Sequence, residues 1–132
     1  MSALFPYAVT TGDVTVRVAV TFQQESADPD GQRWFWVYHI RIENNGSNTI
    51  QLIDREWEIF DARGALNKVE GSGVVGEQPV IQPGRSYDYV SGCPLSTPSG
   101  RMMGRYGMMD GDGRRFSVAI PEFPLFGPAV SL

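Results

Sequence analysis

The stretch Val14-Thr15-Val16-Arg17-Val18-Ala19-Val20-Thr21-Phe22 sets apolar even positions against mostly polar or small odd ones, and it decides the fold class. A period of two gathers one set of side chains on one face of a pleated strand. After it, Glu25 to Gln32 is polar and contains Asp28-Pro29-Asp30-Gly31, where proline presets one dihedral and glycine admits positive φ. That segment reads as a hairpin loop. Trp34 to Glu43 alternates again, with Trp34, Trp36, Tyr38, Ile40 and Ile42 set against Phe35, Val37, His39, Arg41 and Glu43. Its first half is apolar on both faces, as in a central strand or one that shows apolar side chains to a partner.

Further along, Asn44-Asn45-Gly46-Ser47 makes a turn, and Thr49 to Phe60 changes phase: Ile50 and Leu52 are even, Trp57 and Ile59 odd. A bulge near Asp54-Arg55 reconciles the two. A short helix over Asp54 to Phe60 competes, but Asp61-Ala62-Arg63-Gly64 closes the segment like a hairpin turn, which favours strand. Between Gly64 and Gly113 lie 11 of the 15 glycines, so the longer loops are expected there. Val80 to Gly84 reads as a turn, Ser86 to Val90 as a strand and Ser91 to Gly100 as a second loop. In the last hairpin, Met102, Tyr106 and Met108 must share a face with Phe116, Val118 and Ile120 to make one core. Partners of equal parity require an odd loop within Asp110 to Gly113, and they turn Arg101, Arg105 and Arg115 outward together. About seven short strands without an amphipathic helix predict an all-β, two-sheet antiparallel β-sandwich of the immunoglobulin or fibronectin type III kind.

Length and composition bound the function. The 132 residues suit a single domain, 1–132, with one core. Eleven Lys and Arg against 15 Asp and Glu leave a net charge of -4, which excludes a strongly basic chain held on nucleic acid by bulk electrostatics. Met1 to Gly12 lacks the pattern of a secretory signal, and no stretch approaches the roughly 18 apolar residues of a membrane span. A cytoplasmic protein without membrane insertion is the expectation. The lone Cys93 suits a reducing compartment and forms no internal disulfide.

Several constellations invite a chemical reading. Gly71-Ser72-Gly73-Val74-Val75-Gly76 matches the glycine pattern that lets amides approach a pyrophosphate, but Pro79 forbids the helix such a site needs. A helix-free nest of amides remains open to an anion. Arg101, Arg105 and Arg115 could hold a phosphate or carboxylate, or else lie on a solvated face. His39 and Cys93 are the only side chains with ordinary pKa between Glu and Tyr, and neither sits in a catalytic motif. Ser96, Thr97 and Ser99 lack a nucleophile-elbow context. Asp28 to Gly31 and Asp110 to Gly113 resemble calcium-loop fragments without the closing Glu, and turn chemistry explains both. Glu56 and Glu58 share a strand face, as exposed sheets often arrange. The aromatic residues are mostly core, while an exposed one beside an arginine would suit protein recognition. Ile120 to Phe126 is apolar and must pack on the domain or find a partner.

Val69 to Val80, Pro83-Gly84 and Ser91 to Gly100 resemble the ApaG family, also called CorD. The likeness continues through Gly104-Arg105-Tyr106, Gly113, Phe116 and Ile120 to Phe123, and upstream through Tyr38, Ile40, Ile42, Asn44, Leu52, Arg55 and Trp57. The resemblance implies an immunoglobulin or fibronectin type III-like sandwich and an association with cobalt tolerance and magnesium efflux. In the family that it resembles, the gene often accompanies those for a diadenosine tetraphosphate hydrolase and a ribosomal RNA methyltransferase. Eukaryotic relatives in F-box and DNA-polymerase-delta-interacting proteins imply protein binding, and no catalytic residue carries over. The expectation is therefore a non-enzymatic protein-interaction module with a protein partner of unknown identity and no cofactor, and an exposed edge strand would permit a homodimer. The alternative is a binder of a phosphorylated small molecule, pyrophosphate or a dinucleoside polyphosphate, with or without a divalent ion, through Gly71, Gly73, Gly76, Arg105 and Arg115. An enzyme comes third and would need a water activated by Glu or a metal.

Overall fold

The computed structural model describes residues 4–127. Nine strands account for most of them: β1 Tyr7–Thr11, β2 Val14–Phe22, β3 Trp34–Asn44, β4 Ile50–Asp61, β5 Leu66–Ser72, β6 Val80–Ile81, β7 Ser86–Leu95, β8 Gly100–Asp110 and β9 Arg115–Leu125. Among the described residues the one helical piece is a single 3-10 turn, Gln24–Ser26. All pairings are antiparallel. One sheet runs β1-β2-β3-β7, the other β5-β4-β8-β9, with the short β6 also on β4. Together they form the two-sheet sandwich that the alternation of β2 and β3 implies.

The even residues of β2 and β3 supply one wall of the core, where Val16, Val18, Trp36, Ile40 and Ile42 are all but inaccessible. Opposite them, Leu52, Trp57, Tyr106, Met108, Val118, Phe123 and Leu125 form the other wall. Phe123 is the keystone, its ring lying 5.9 Å from that of Tyr38, 6.1 Å from Trp57 and 6.3 Å from Tyr7. The buried hydroxyls of Tyr89 and Tyr106 hydrogen-bond to each other across the sheets. The tail packs on the domain: Trp36 Nε1 donates to the Phe126 carbonyl at 2.7 Å.

The final hairpin has the required odd loop, because Met108 faces Phe116 and Tyr106 faces Val118. Gly111, Asp112 and Gly113 connect the strands, Gly113 has φ +79, and Asp110 N–H donates to the Arg114 carbonyl at 2.9 Å. Beyond Gly104 the register shifts, so Met102 meets Phe123 and the extra residue lies at Pro121-Glu122.

Three expectations are corrected. Strand β7 does not end at Val90 but runs on to Leu95, leaving 96–99 as the loop. Gly92 and Pro94 survive there because β7 is an edge strand, where proline costs no inner hydrogen bond, and because the Phe35 ring covers Gly92. Val80–Ile81 is not part of the turn but a short strand on β4, with the turn reduced to 82–85. Finally, the glycine-rich half is mostly strand. It also holds β5, which escapes period-two reading because its edge position leaves most of its residues exposed.

Replacing the keystone should be severe. Phe123→Ala is expected to lower unfolding free energy by roughly 3–5 kcal/mol, read as a shifted urea midpoint at unchanged slope, whereas Phe126→Ala should change it little.

Candidate functional site

β4 carries an extra residue, Ile53, between Leu52, which faces Met108, and Asp54, which faces Gly107. The bulge switches the inward set from Ile50 and Leu52 to Arg55, Trp57 and Ile59. A bulge also frees a carbonyl from the ladder. The Ile53 oxygen accepts from Gly73 N–H at 2.8 Å and from the Gln78 carboxamide at 2.9 Å. The glycine-rich segment thus clamps the bulge.

It also holds Arg55. Nη1 of Arg55 donates to the carbonyls of Ser72 at 3.0 Å and Gly73 at 2.8 Å. Gly71 lies opposite Arg55 in the ladder, and a Cβ at Gly71 would sit 2.9 Å from Nη1. Any side chain there would displace the guanidinium. At Gly73, φ is +63 and a Cβ would collide with the Glu77 carbonyl. The turn is closed by paired bonds, Val74 N–H to Glu77 O at 2.8 Å and Glu77 N–H to Val74 O at 2.9 Å. Its central residues, Val75 and Gly76, have φ +43 and +83.

The five residues named from sequence do not share a face. Gly71 packs against Arg55 on the inner side, and the amides of Gly73, Val74 and Glu77 are used within the loop and bulge. On the outer face, Arg105 Nε donates to Glu56 at 2.7 Å and Arg115 Nη2 to Asp54 at 2.9 Å. The Arg105 bond holds the Glu56 carboxyl below its ordinary value. Arg101 pairs with Glu122 at 3.5 Å and lies over the Phe60 ring at 4.0 Å. That is the aromatic-beside-arginine pattern, on the solvent side.

A cleft with apolar walls lies apart from Arg105 and Arg115. β1 and β2 pack on β9 and close one side of the sandwich, whereas the edge strands β5 and β7 leave a cleft between them. One chamber of about 490 Å³ has walls from Trp57, Ile59, Val69, Leu95 and Met102. An adjoining chamber of about 290 Å³ is lined by Ser72, Val74, Tyr89 and the turn at Val75-Gly76. Arg55, Tyr38, Trp57 and Ser91 border both. Burial pushes the Tyr38 phenol up, partly offset by the neighbouring Ser91 hydroxyl, so it stays protonated as a donor. The phase of β4 hides this site from a sequence reading until the bulge is placed.

Cys93 and His39 lie on opposite faces of their sheet. Burial pushes the Cys93 thiol up to about 11, away from a nucleophile's needs. His39 sits at the surface beside the Phe5 ring and 3.8 Å from Asp88. Among the described residues, no three His, Cys, Asp or Glu side chains cluster to hold a metal, and no helix is long and apolar enough to cross a membrane.

A family model described as ApaG domain matches residues 24–110. Protein ApaG of Rhodospirillum centenum is 46% identical over 122 residues, 92% of this chain and 94% of that one. Protein ApaG of Caulobacter vibrioides is 47% identical over 126 residues, 96% of this chain and 90% of its own. A crystal structure of an ApaA protein from Bordetella pertussis superposes with a TM-score of 0.85 at 41% identity, covering 96% and 99% of the two chains. The C-terminal domain of wzt, at 10% identity and TM-score 0.53 over 96% of this chain and 79% of that one, shares the fold alone.

Two outcomes test the local physics. Val75→Asn should raise stability by roughly 0.5–1 kcal/mol, because asparagine enters the left-handed region more cheaply than a β-branched residue, and an unchanged urea midpoint would contradict the strain. For Cys93, the thiol of the unfolded chain ionises near 9 and that of the folded chain near 11. The protonated thiol therefore favours the fold below pH 9, and its contribution is lost as pH rises to 11. The urea midpoint should fall across that window, and less steeply in Cys93→Ala; equal slopes would refute the assignment.

Proposed function

The chain belongs to the ApaG family, and from that premise we propose that it is a non-enzymatic module which binds a partner protein along the cleft between β5 and β7. One observation carries this reading: two edge strands bracket a cleft with apolar walls, on the side where the sandwich does not close. Unpaired strand edges present backbone donors and acceptors that an extended segment can use, and side-chain pockets beside them supply selectivity. The elevated Cys93 pKa and the separation of His39 from Cys93 favour recognition over nucleophilic chemistry. Any part in cobalt tolerance or magnesium efflux would then run through the partner.

A phosphorylated small molecule is the second reading, favoured by one local fact: the amides of Val75 and Gly76 have no backbone partner in the loop. Its five residues stand on two faces, and two of them are engaged with carboxylates, which ranks it below the first.

Extract of the cells that make the protein, passed over immobilised full chain, separates these readings. A protein retained by the wild type and lost from Val69→Lys, which puts an ammonium into the cleft wall, supports the interaction module. Equal retention by both, or none by either, overturns the cleft as its docking site.

A further inference from the structure

Arg55 differs from the other arginines of the chain. Arg17, Arg41, Arg101, Arg105 and Arg115 each pair with a carboxylate within 4 Å. Arg33, Arg63, Arg85 and Arg114 are exposed. Arg55 is half-buried, and among the described residues no carboxylate lies within 4 Å of it. A half-buried guanidinium without a counter-charge is held by whatever accepts its hydrogen bonds. Two carbonyls take Nη1, and of the five N–H donors in the group the remaining three find no acceptor among the described residues and stand open to the solvent of the cleft. The side chain is therefore fixed in place with three of its five donors unused.

Its surroundings specify the missing acceptor. A planar fork with one charge matches one carboxylate; a polyphosphate would call for several cations, and the other arginines near this sheet are committed to Glu56, Asp54 and Glu122. With Arg55, the hydroxyl-bearing Tyr38 and Ser91 line both chambers, and the larger one is also walled by Trp57, Val69 and Leu95. An anion beside an apolar group is thus wanted where the two chambers meet. The β5 edge beside it is seven residues long, which at strand rise is roughly 20 Å. That length suits a few residues of extended chain.

We propose that the Arg55 cleft receives the C-terminal carboxylate of a partner chain whose last residue is apolar. The carboxylate takes the free edge of the guanidinium and the Tyr38 and Ser91 hydroxyls, the terminal side chain enters the chamber beneath Trp57, and the preceding residues lie along the strand edges. This deepens the interaction reading and rests on it.

The test titrates isotopically labelled full chain with three probes: an acetylated tetrapeptide ending in leucine with a free carboxylate, the same peptide as its C-terminal amide, and hexanoate. Expected are saturable shifts at Ser72, Gly73, Ser91 and the Trp57 indole with the acid peptide, and binding at least about tenfold weaker for the amide peptide. Arg55→Gln should bring the acid peptide down to the affinity of the amide, with Arg55→Lys in between. Should Arg55→Gln fail to fold, the acid-against-amide comparison on the wild type decides alone. Equal binding of the two peptides, or none, overturns the proposal, and so does hexanoate binding as tightly as the peptide. Retention of a partner lost from Val69→Lys, combined with equal peptide binding, would leave the interaction module standing and remove only the carboxylate.

Discussion

One extra residue in β4 governs the rest of the molecule. Had the phase of Ile50 and Leu52 continued, Asp54, Glu56 and Glu58 would face the core, three carboxylates where Trp57 and Ile59 now stand, and no sandwich could bear that desolvation. The bulge at Ile53 turns the charged set out to pair with Arg105 and Arg115 and turns the aromatic set in against Tyr38 and Phe123. Arg55 comes inward as a consequence. It has the parity of Trp57 and so lies on the same side of the sheet.

The glycine-rich segment follows from the same constraint. A bulged carbonyl needs a donor and an inward guanidinium needs acceptors, and the turn from Ser72 to Gln78 supplies both. Gly71 is small because a guanidinium lies over it, and Gly73 because the chain doubles back on itself. Those are structural reasons for a pattern that elsewhere signals a phosphate site, and they explain why its neighbours make no helix.

Much of this was legible. The strands β2 and β3, the preference for strand over helix in β4, its bulge to within two residues and the odd final loop all follow from parity, because half-buried strands write their faces into the sequence. The resemblance agreed with the fold. What stayed hidden lies at edges and glycines. β1 and β5 have little buried side to betray them. Gly92 looks like a loop residue but belongs to a strand, where the Phe35 ring occupies the room a Cβ would need. Glycine density measures tight approach as much as turning. The site was harder still, since the arginines visible by alternation are the outward, paired ones, while the inward one is out of phase with the start of its own strand.

The edges themselves bear on recognition. An unpaired strand invites promiscuous pairing, and folds blunt it with proline, charge, bulges or cover. β1 and β9 cover each other, and β9 adds the Pro121-Glu122 bulge. β7 has Pro94 near its end, and β5 places Lys68 and Glu70 outward. Between these guards, Tyr89 and Ser91 of β7 face the cleft beside Arg55 with no such device. On the proposed docking, a visiting chain would have to bring its own negative charge to that point to offset the desolvation of its polar backbone.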